Sequence, residues 1–204
     1  MGPDGVTGKI VKLSWEAVIP YPAWLLDITV NNATVPNDRK RATVVPNYKK
    51  GDLSIVTSHR PVSLTSVVCR QMENVIAGYL RQVWDTNKWL YEGQHGFRSG
   101  YSCESQIVTV CQDIADFLDE EAGIDVIITD FSKAVIFVPY DRLLMKIATS
   151  GVDLKAVIWV KEFLFDHLQR VRVGRQLSEE VRVMSGVPQG AYWAHFYSSC
   201  TLCK

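Results

Sequence analysis

The sequence predicts a mixed α+β fold, and three patterns along the chain indicate it. Residues 126–128 form an apolar run of β-branched side chains, which is typical of a buried strand. Residues 169–174 and 180–184 alternate at period two, as the two arms of a β-hairpin do. Residues 68–83 repeat apolar side chains at helical spacing. A chain of 204 residues, 47% of them hydrophobic, can bury roughly 70% of its unfolded surface.

The N-terminal half is predicted to contain helical patches, one short strand and one long helix. The patches lie between residues 6 and 32 and are interrupted by Pro20 and Pro22. The strand covers residues 42–46 and ends at a proline. Ser66 is the predicted N-cap of the long helix. The apolar stripe of that helix consists of Val68, Met72, Val75, Ile76, Tyr79, Leu80 and Val83.

The C-terminal half is predicted to continue with a helix, the buried strand, two more helices and the hairpin. Ser102 caps the first of these helices, and the strand ends at Asp130. The next helix covers residues 141–150, and Asp153 caps another that runs through Leu164. The side chains expected to face the core from the helix after Ser102 are Ile107, Val108, Cys111, Ile114, Ala115 and Leu118.

The composition excludes several classes of protein. Lysine plus arginine and aspartate plus glutamate both total 22, so no global positive field indicates nucleic-acid binding. Five cysteines at scattered spacing favour reduced thiols in an intracellular protein. The N-terminus lacks a signal-peptide pattern, and the longest apolar stretch, residues 18–30, contains two prolines and an aspartate. We therefore expect an intracellular protein without a membrane span, and its placement in nucleus or cytoplasm stays open.

Five segments follow one another in an order that is specific for one protein family. They are VPNYKKGD at 45–52, HRPVSL at 59–64, QHGFRSG at 94–100, DFSKA at 130–134 with Val138 and Pro139, and SGVPQG at 185–190. This order resembles the reverse transcriptase domain of non-LTR retrotransposons of the insect jockey-like kind. The resemblance implies a right-hand polymerase. Residues 1–204 would be one partial domain, fingers-like over about 1–100 and an incomplete palm over about 101–204, without a thumb.

Asp130 is the predicted catalytic and metal-binding residue. A carboxylate where a buried strand gives way to a turn is well placed to hold a divalent cation, although a capping role is the ordinary alternative. The resemblance implies that Asp130 is the first metal ligand and that the Phe131 carbonyl is a further one. It also implies Mg²⁺ as cofactor, in a two-metal nucleotidyl transfer. The implied partners are an RNA template, a DNA primer and a deoxynucleoside triphosphate.

Three basic residues are candidate phosphate contacts. Lys50 and Arg60 match the positions that grip the incoming triphosphate, a task for which the arginine fork is suited. Arg98, in the loop at 94–100, is a candidate contact to a template-strand phosphate. The alternative for all three is an exposed, solvated charge.

The last segment, residues 185–190, resembles the part of the family that lies under the nascent base pair. Gly186 and Gly190 allow the backbone to approach the nucleotide, and Pro188 stiffens the turn. Gln189 can form a hydrogen bond near the template or the nucleotide. Val135 stands where the family has an aromatic residue that packs beneath the sugar.

Three departures from the family pattern predict that this polypeptide is inactive by itself. Val135 and Ile136 replace an aromatic residue and an aspartate, and the aligned pattern is lost after Gly190. The sequence ends at Lys204, before the Ala-Asp-Asp strand that supplies the paired carboxylates. The leading hypothesis is therefore a degenerate polymerase fragment. A partial record of a longer active reverse transcriptase and a non-catalytic nucleic-acid-binding module are the alternatives.

Overall fold

The computed structural model describes residues 2–18, 20–96, 98–121, 123–129 and 138–187, which form seven α-helices, five β-strands and two short 3₁₀ helices. The helices are α1 (Gly8–Leu13), α2 (Trp15–Val18), α3 (Pro20–Asn31), α4 (Val67–Thr86), α5 (Cys103–Asp119), α6 (Tyr140–Thr149) and α7 (Leu154–Leu164). The strands are β1 (Arg41–Tyr48), β2 (His59–Leu64), β3 (Leu168–Val173), β4 (Gln176–Leu177) and β5 (Val181–Arg182). Helices and strands together confirm a mixed α and β architecture.

The strands form one sheet in the order β2-β1-β3-β4, with β5 also paired to β3. β1 pairs with β2 in antiparallel and with β3 in parallel orientation. β3 then pairs with both β4 and β5 in antiparallel orientation, so the predicted hairpin is confirmed. Its turn is tight, because Gly174 has a positive φ of 60°. The parallel pair joins a strand of the N-terminal half to one of the C-terminal half.

β1 is longer than the predicted strand, which was expected to end at a proline. Pro46 lies inside the strand, opposite Pro61 of β2. β3 pairs only with residues 41–44 of β1, so Pro46 lies beyond the parallel ladder. A proline is tolerated at such a place because no ladder N–H is lost. The proline therefore marks the end of the parallel pairing and not the end of the strand.

The hydrophobic core lies among helices α3, α4, α6 and α7. Trp84 of α4 and Trp159 of α7 are fully buried at its centre. Each indole N–H donates a hydrogen bond to another helix or its end: Trp84 Nε1 to Ser150 Oγ at 2.7 Å, and Trp159 Nε1 to Thr29 Oγ1 at 3.0 Å. These bonds satisfy the polar atom of each large side chain and fix how the helices dock.

The buried face of α4 is rotated slightly from the predicted one. Ser66 does cap the helix, since its Oγ accepts a hydrogen bond from the Cys69 N–H at 3.1 Å. Met72, Ile76 and Leu80 are buried as expected, together with Cys69, Ala77 and Trp84. Val75 and Tyr79 are exposed instead, which corrects their assignment to the core-facing stripe.

Two predicted core elements do not face a core among the described residues. α5 forms where expected and begins with a capping box between Ser102 and Ser105, but it has no buried residue. Residues 126–128 were predicted to be a buried strand, and that prediction is wrong: they form no strand, and Ile128 is 90% exposed. A strand needs hydrogen-bonding neighbours, and within the described ranges no segment pairs with this one. The apolar pattern of residues 126–128 indicates a preference for burial, but it does not identify a strand that would pair with them.

Candidate nucleotide and nucleic-acid site

The β1–β2 hairpin carries both predicted triphosphate-binding residues. Arg60 lies on β2 opposite Asn47, and the next pair, Tyr48 with His59, closes the ladder. Lys50 follows Tyr48 by two residues, in the loop that joins the strands. Lys50 and Arg60 are both exposed, and neither has an ion-pair partner within the described part of the chain. The hairpin thus holds two free cations toward the same end of the sheet.

The loop of this hairpin is held by hydrogen bonds around Gly51. The Tyr48 hydroxyl donates to the Gly51 carbonyl at 2.8 Å, and the Lys49 N–H donates to the Ser58 carbonyl at 2.9 Å. Gly51 has a φ of +95°, and a Cβ added there would lie 3.1 Å from Ser58 Oγ. The positive φ therefore favours glycine beside Lys50, and a Cβ at this position would in addition crowd the Ser58 hydroxyl.

The same loop contains a carboxylate that stays ionised. Asp52 Oδ1 accepts hydrogen bonds from the Ser54 backbone N–H and the Ser54 hydroxyl, both at 2.8 Å. These bonds, the backbone one first, lower the pKa of Asp52 from its ordinary value. The loop therefore presents one negative charge two residues after Lys50.

A second group of predicted residues meets where two sequence segments converge. The Gly186 N–H donates a hydrogen bond to the Val138 carbonyl at 3.2 Å, and Gly186 adopts a φ of +78°. Val138 and Val187 are both buried in the helical core. The backbone at Val138 is thus joined to the start of the segment at 185–190.

The Arg98 side chain forms hydrogen bonds within its own loop. Its Nη1 donates to the carbonyls of Tyr91 and Glu92, both at 3.3 Å, and of Gln94 at 3.5 Å. Its guanidinium also lies over the Tyr101 ring, 4.6 Å from the centroid. This structural role was not predicted from the sequence. Tyr101, three positions after Arg98, is the sequence feature that could have indicated it. A contact between Arg98 and a template phosphate stays a prediction.

The Arg98 loop is docked onto the N-terminus of α5 through His95. This side chain is buried, and its Nδ1 lies 2.7 Å from Ser105 Oγ in a hydrogen bond. The His95 backbone N–H donates to Gln106 Oε1 at 3.2 Å. His95 therefore has an architectural role in the segment at 94–100.

Residues 48–200 match the family described as reverse transcriptase (RNA-dependent DNA polymerase). This chain belongs to that family. Its relatives include two proteins of Drosophila melanogaster, the probable RNA-directed DNA polymerases from transposon BS and from transposon X-element. The chain is 27% identical to the first over 192 residues and 28% identical to the second over 193 residues. In both cases the match covers 93% of this chain and 21% of the relative, so the chain spans about one fifth of their length.

The reverse transcriptase match covers every residue predicted for the site. It begins at the end of β1 and continues past Gly190, where the pattern was expected to be lost. Several of the predicted residues lie outside the described part of the structure: Asp130, Phe131, Val135, Pro188, Gln189 and Gly190. Among the described residues of this reverse transcriptase domain, no three histidine, cysteine or acidic side chains are grouped for a metal ion. No described helix is long and apolar enough to cross a membrane.

A buried polar cluster beside β1 was not predicted from the sequence. Lys40 is buried next to β1, and its Nζ pairs with Glu162 Oε2 of α7 at 3.2 Å. His167 is also buried, and neither of its ring nitrogens has a hydrogen-bond partner within the described ranges. Burial, and secondarily the charge of Lys40, lowers the pKa of His167 to about 4. The imidazole is therefore neutral at physiological pH.

Proposed function

We propose that this chain forms the nucleotide- and template-binding part of a transposon-encoded RNA-directed DNA polymerase. Its reaction is template-directed nucleotidyl transfer, with an RNA template, a DNA primer and a deoxynucleoside triphosphate as partners. The observation that carries the proposal is the β1–β2 register, which places Lys50 and Arg60 near one end of a hairpin inside the matched region. Both are exposed cations without a described ion-pair partner.

Lys50 and Arg60 are proposed to bind the triphosphate in different ways. The planar guanidinium of Arg60 pairs with two phosphate oxygens at once, whereas Lys50 acts as a compact point charge. Both side chains are exposed and hydrated in the free chain, so folding does not pay the cost of burying their charges. The fixed turn at Gly51 limits how far Lys50 can move from the strand end.

The remaining predicted residues are proposed to complete the site around the metal and the nascent base pair. Asp130 and the Phe131 carbonyl would hold Mg²⁺, which supplies charge neutralisation on the reacting phosphates when bound. Reverse transcriptases generally use divalent metal ions. Val135, Gln189 and Gly190 would contact the nucleotide, and Pro188 with Gly186 and Arg98 would contact nucleic acid. The hydrogen bond between Gly186 and Val138 supports this arrangement, because it joins the two segments concerned.

We further propose that a polypeptide of these 204 residues does not extend a primer by itself. Val135 and Ile136 stand where the family pattern has an aromatic residue and an aspartate. Mg²⁺ needs anionic oxygens in near-octahedral geometry, and Asp130 alone does not hold two such ions for in-line attack. Primer extension on an RNA template with Mg²⁺ or Mn²⁺ tests this. Extension that disappears in Asp130→Ala would refute it.

Nucleotide binding provides the direct test of the proposed site. Binding of dTTP with Mg²⁺ to the 204-residue chain is measured by isothermal titration calorimetry. Replacing Arg60 by Gln removes a charge-assisted hydrogen bond of about 1.5–3 kcal/mol, so we expect Kd to rise about 10- to 150-fold. Lys50→Gln is expected to act in the same direction, since it removes the second cation.

Lys12→Gln is the matched control for the nucleotide-binding test. Lys12 lies in the last turn of α1, far along the chain from the hairpin, and the substitution makes the same change in net charge. We expect the control to bind dTTP as the unmodified chain does. If Lys12→Gln and the two hairpin variants all lower affinity equally, the binding depends only on net charge and the proposed site is wrong.

A further inference from the structure

The charged side chains of the sheet share one chemical type and one face. All the charged residues in β1 to β5 are arginines: Arg41, Arg60, Arg170, Arg172 and Arg182. The register places Arg60 opposite Asn47, Arg170 beside Thr43, and both Arg41 and Arg182 next to Leu168. Paired residues point to the same side of a sheet, and positions two apart on a strand share a face. All five arginines therefore project from the same face, which we call the arginine face.

The opposite face of the sheet has a different character. Its positions are those that alternate with the arginines along each strand, and they include no acidic, lysine or arginine side chain. Burial does not distinguish the faces at β1, because Ala42 and Val44 are buried on that side and Thr43 is buried on the arginine face. The charge separation between the faces follows from strand register, and the equal totals of acidic and basic residues in the chain conceal it.

Two of the five arginines are neutralised locally and three are not. Arg41 Nε lies 3.6 Å from Glu180 Oε2, and Arg182 forms an ion pair with Asp166. Arg60, Arg170 and Arg172 have no ion-pair partner among the residues that the structure describes. All three are at least partly exposed to solvent. The unneutralised charge of the arginine face is therefore carried by β2 and β3.

Four of the five arginines follow a diagonal line across the strands, and Arg41 lies to one side of it. Arg60 is at the hairpin end of β2, Arg172 and Arg170 follow on β3, and Arg182 lies on β5 beyond them. With strands about 4.8 Å apart and a rise of about 3.3 Å per residue, this line is on the order of 25 Å long. An extended polyanion fits such a row, whereas a compact anion would contact one or two of its members.

We propose that the arginine face binds the phosphate backbone of a single strand of RNA, with Arg170 and Arg172 as its central contacts. The proposal rests on the proposed function in one respect: it assigns the strand to the RNA template that runs past Arg60. Aliphatic side chains separate the arginines, among them Val45, Val62, Leu64 and Leu168, and none of the described strand residues on this face is aromatic. The face therefore contacts phosphates and not bases, and its binding is independent of sequence.

The test measures binding of a fluorescein-labelled 20-nucleotide single-stranded RNA by anisotropy over a series of salt concentrations. Each phosphate neutralised on a single strand contributes about 0.7 to the slope of log K against log salt. The double variant Arg170→Gln/Arg172→Gln is expected to reduce the slope by about 1.4. It is also expected to weaken binding at low salt at least tenfold. Two RNAs of different sequence are expected to bind alike.

Two control variants separate this contact from loss of folding and from net charge. Arg170→Lys/Arg172→Lys keeps both charges and is expected to keep the slope of the unmodified chain. Lys12→Gln/Arg142→Gln removes two exposed cations, of α1 and α6, and is expected to change neither affinity nor slope. Thermal unfolding checks that all variants are folded to the same extent.

Three outcomes would overturn the proposal. The first is a double variant that binds RNA with unchanged affinity and slope. The second is stronger binding to duplex DNA of the same sequence. The third is equally effective competition by polyglutamate of the same charge, which would point to an acidic protein partner. None of these outcomes predicts a change in the dTTP titration, which tests Lys50 and Arg60. Failure of the arginine face can therefore be distinguished from failure of the nucleotide site.

Discussion

Acidification below pH 6.5 is expected to destabilise this chain through His167. The side chain is 2% exposed, lies against Phe163 with ring centroids 5.8 Å apart, and has no hydrogen-bond partner for either nitrogen among the described residues. Burial, assisted by the charge of Lys40, lowers its pKa from 6.5 to about 4. A protonated imidazole at this position would be a buried charge without a compensating partner.

The sign and size of the effect follow from the two pKa values. Below pH 6.5 the unfolded chain binds a proton that the folded chain excludes until pH about 4. The contribution of neutral His167 to the free energy of unfolding is thus fully present above pH 6.5 and is lost as the pH falls toward 4. A difference of one pKa unit corresponds to about 1.4 kcal/mol, so the total loss is about 3 kcal/mol, of which about 2 kcal/mol is reached at pH 5.

Urea unfolding at pH 7.5 and pH 5 measures this loss, and His167→Leu isolates it from other titrating groups. Leucine fills a similar volume and cannot bind a proton, so the variant is expected to lose about 2 kcal/mol less than the unmodified chain over this pH interval. Ile147→Val, in the same core, is expected to lower the free energy of unfolding by about 1 kcal/mol at both pH values. If His167→Leu and the unmodified chain lose equal stability between pH 7.5 and pH 5, the burial argument is wrong.

Three further predictions concern the backbone and the core. Gly51→Ala is expected to destabilise the chain by about 1–2 kcal/mol in urea unfolding, because the φ of Gly51 is +95°. Gly78→Ala, in an exposed part of α4, should stabilise it by about 0.5–1 kcal/mol. Equal effects of the two substitutions would contradict the backbone assignment. Ser150→Ala removes the acceptor of the Trp84 indole and should cost about 1–3 kcal/mol, and an unchanged unfolding midpoint would count against that bond. Arg98→Ala should speed hydrogen exchange of the backbone amides in its loop, and unchanged protection would show that the carbonyl contacts do not hold the loop.

Local signals in the sequence were sufficient to predict much of the fold. Ser66, Ser102 and Asp153 cap helices as expected, because each cap depends only on a side-chain oxygen and an N–H two or three residues later. The hairpin of β3 was likewise visible in its alternating pattern. These predictions needed no knowledge of distant parts of the chain.

Features that depend on distant partners could not be predicted. The continuation of β1 through Pro46 depends on where its pairing with β3 stops, and no residue near the proline reports that. The exposed apolar side of α5 is a second example. Its periodicity indicates a preference for burial, but it does not identify the element that would pack against it. The candidate site divides in the same way. Motif order led to the prediction of Lys50 and Arg60 as phosphate-binding residues, which stays a prediction, whereas it gave no indication of the carbonyl contacts of Arg98.

The distribution of charge illustrates why composition is a weak guide to binding. Equal numbers of acidic and basic residues give a formal net charge of +0, which indicates no general affinity for nucleic acid. Electrostatic attraction, however, depends on the local field, and the sheet separates its charges so that arginines occupy one face only. Strand pairing determines this separation, because a shift of one residue in the register of β3 would move Arg170 and Arg172 to the opposite face. Any RNA affinity of this chain therefore depends on the fold and not on its net charge.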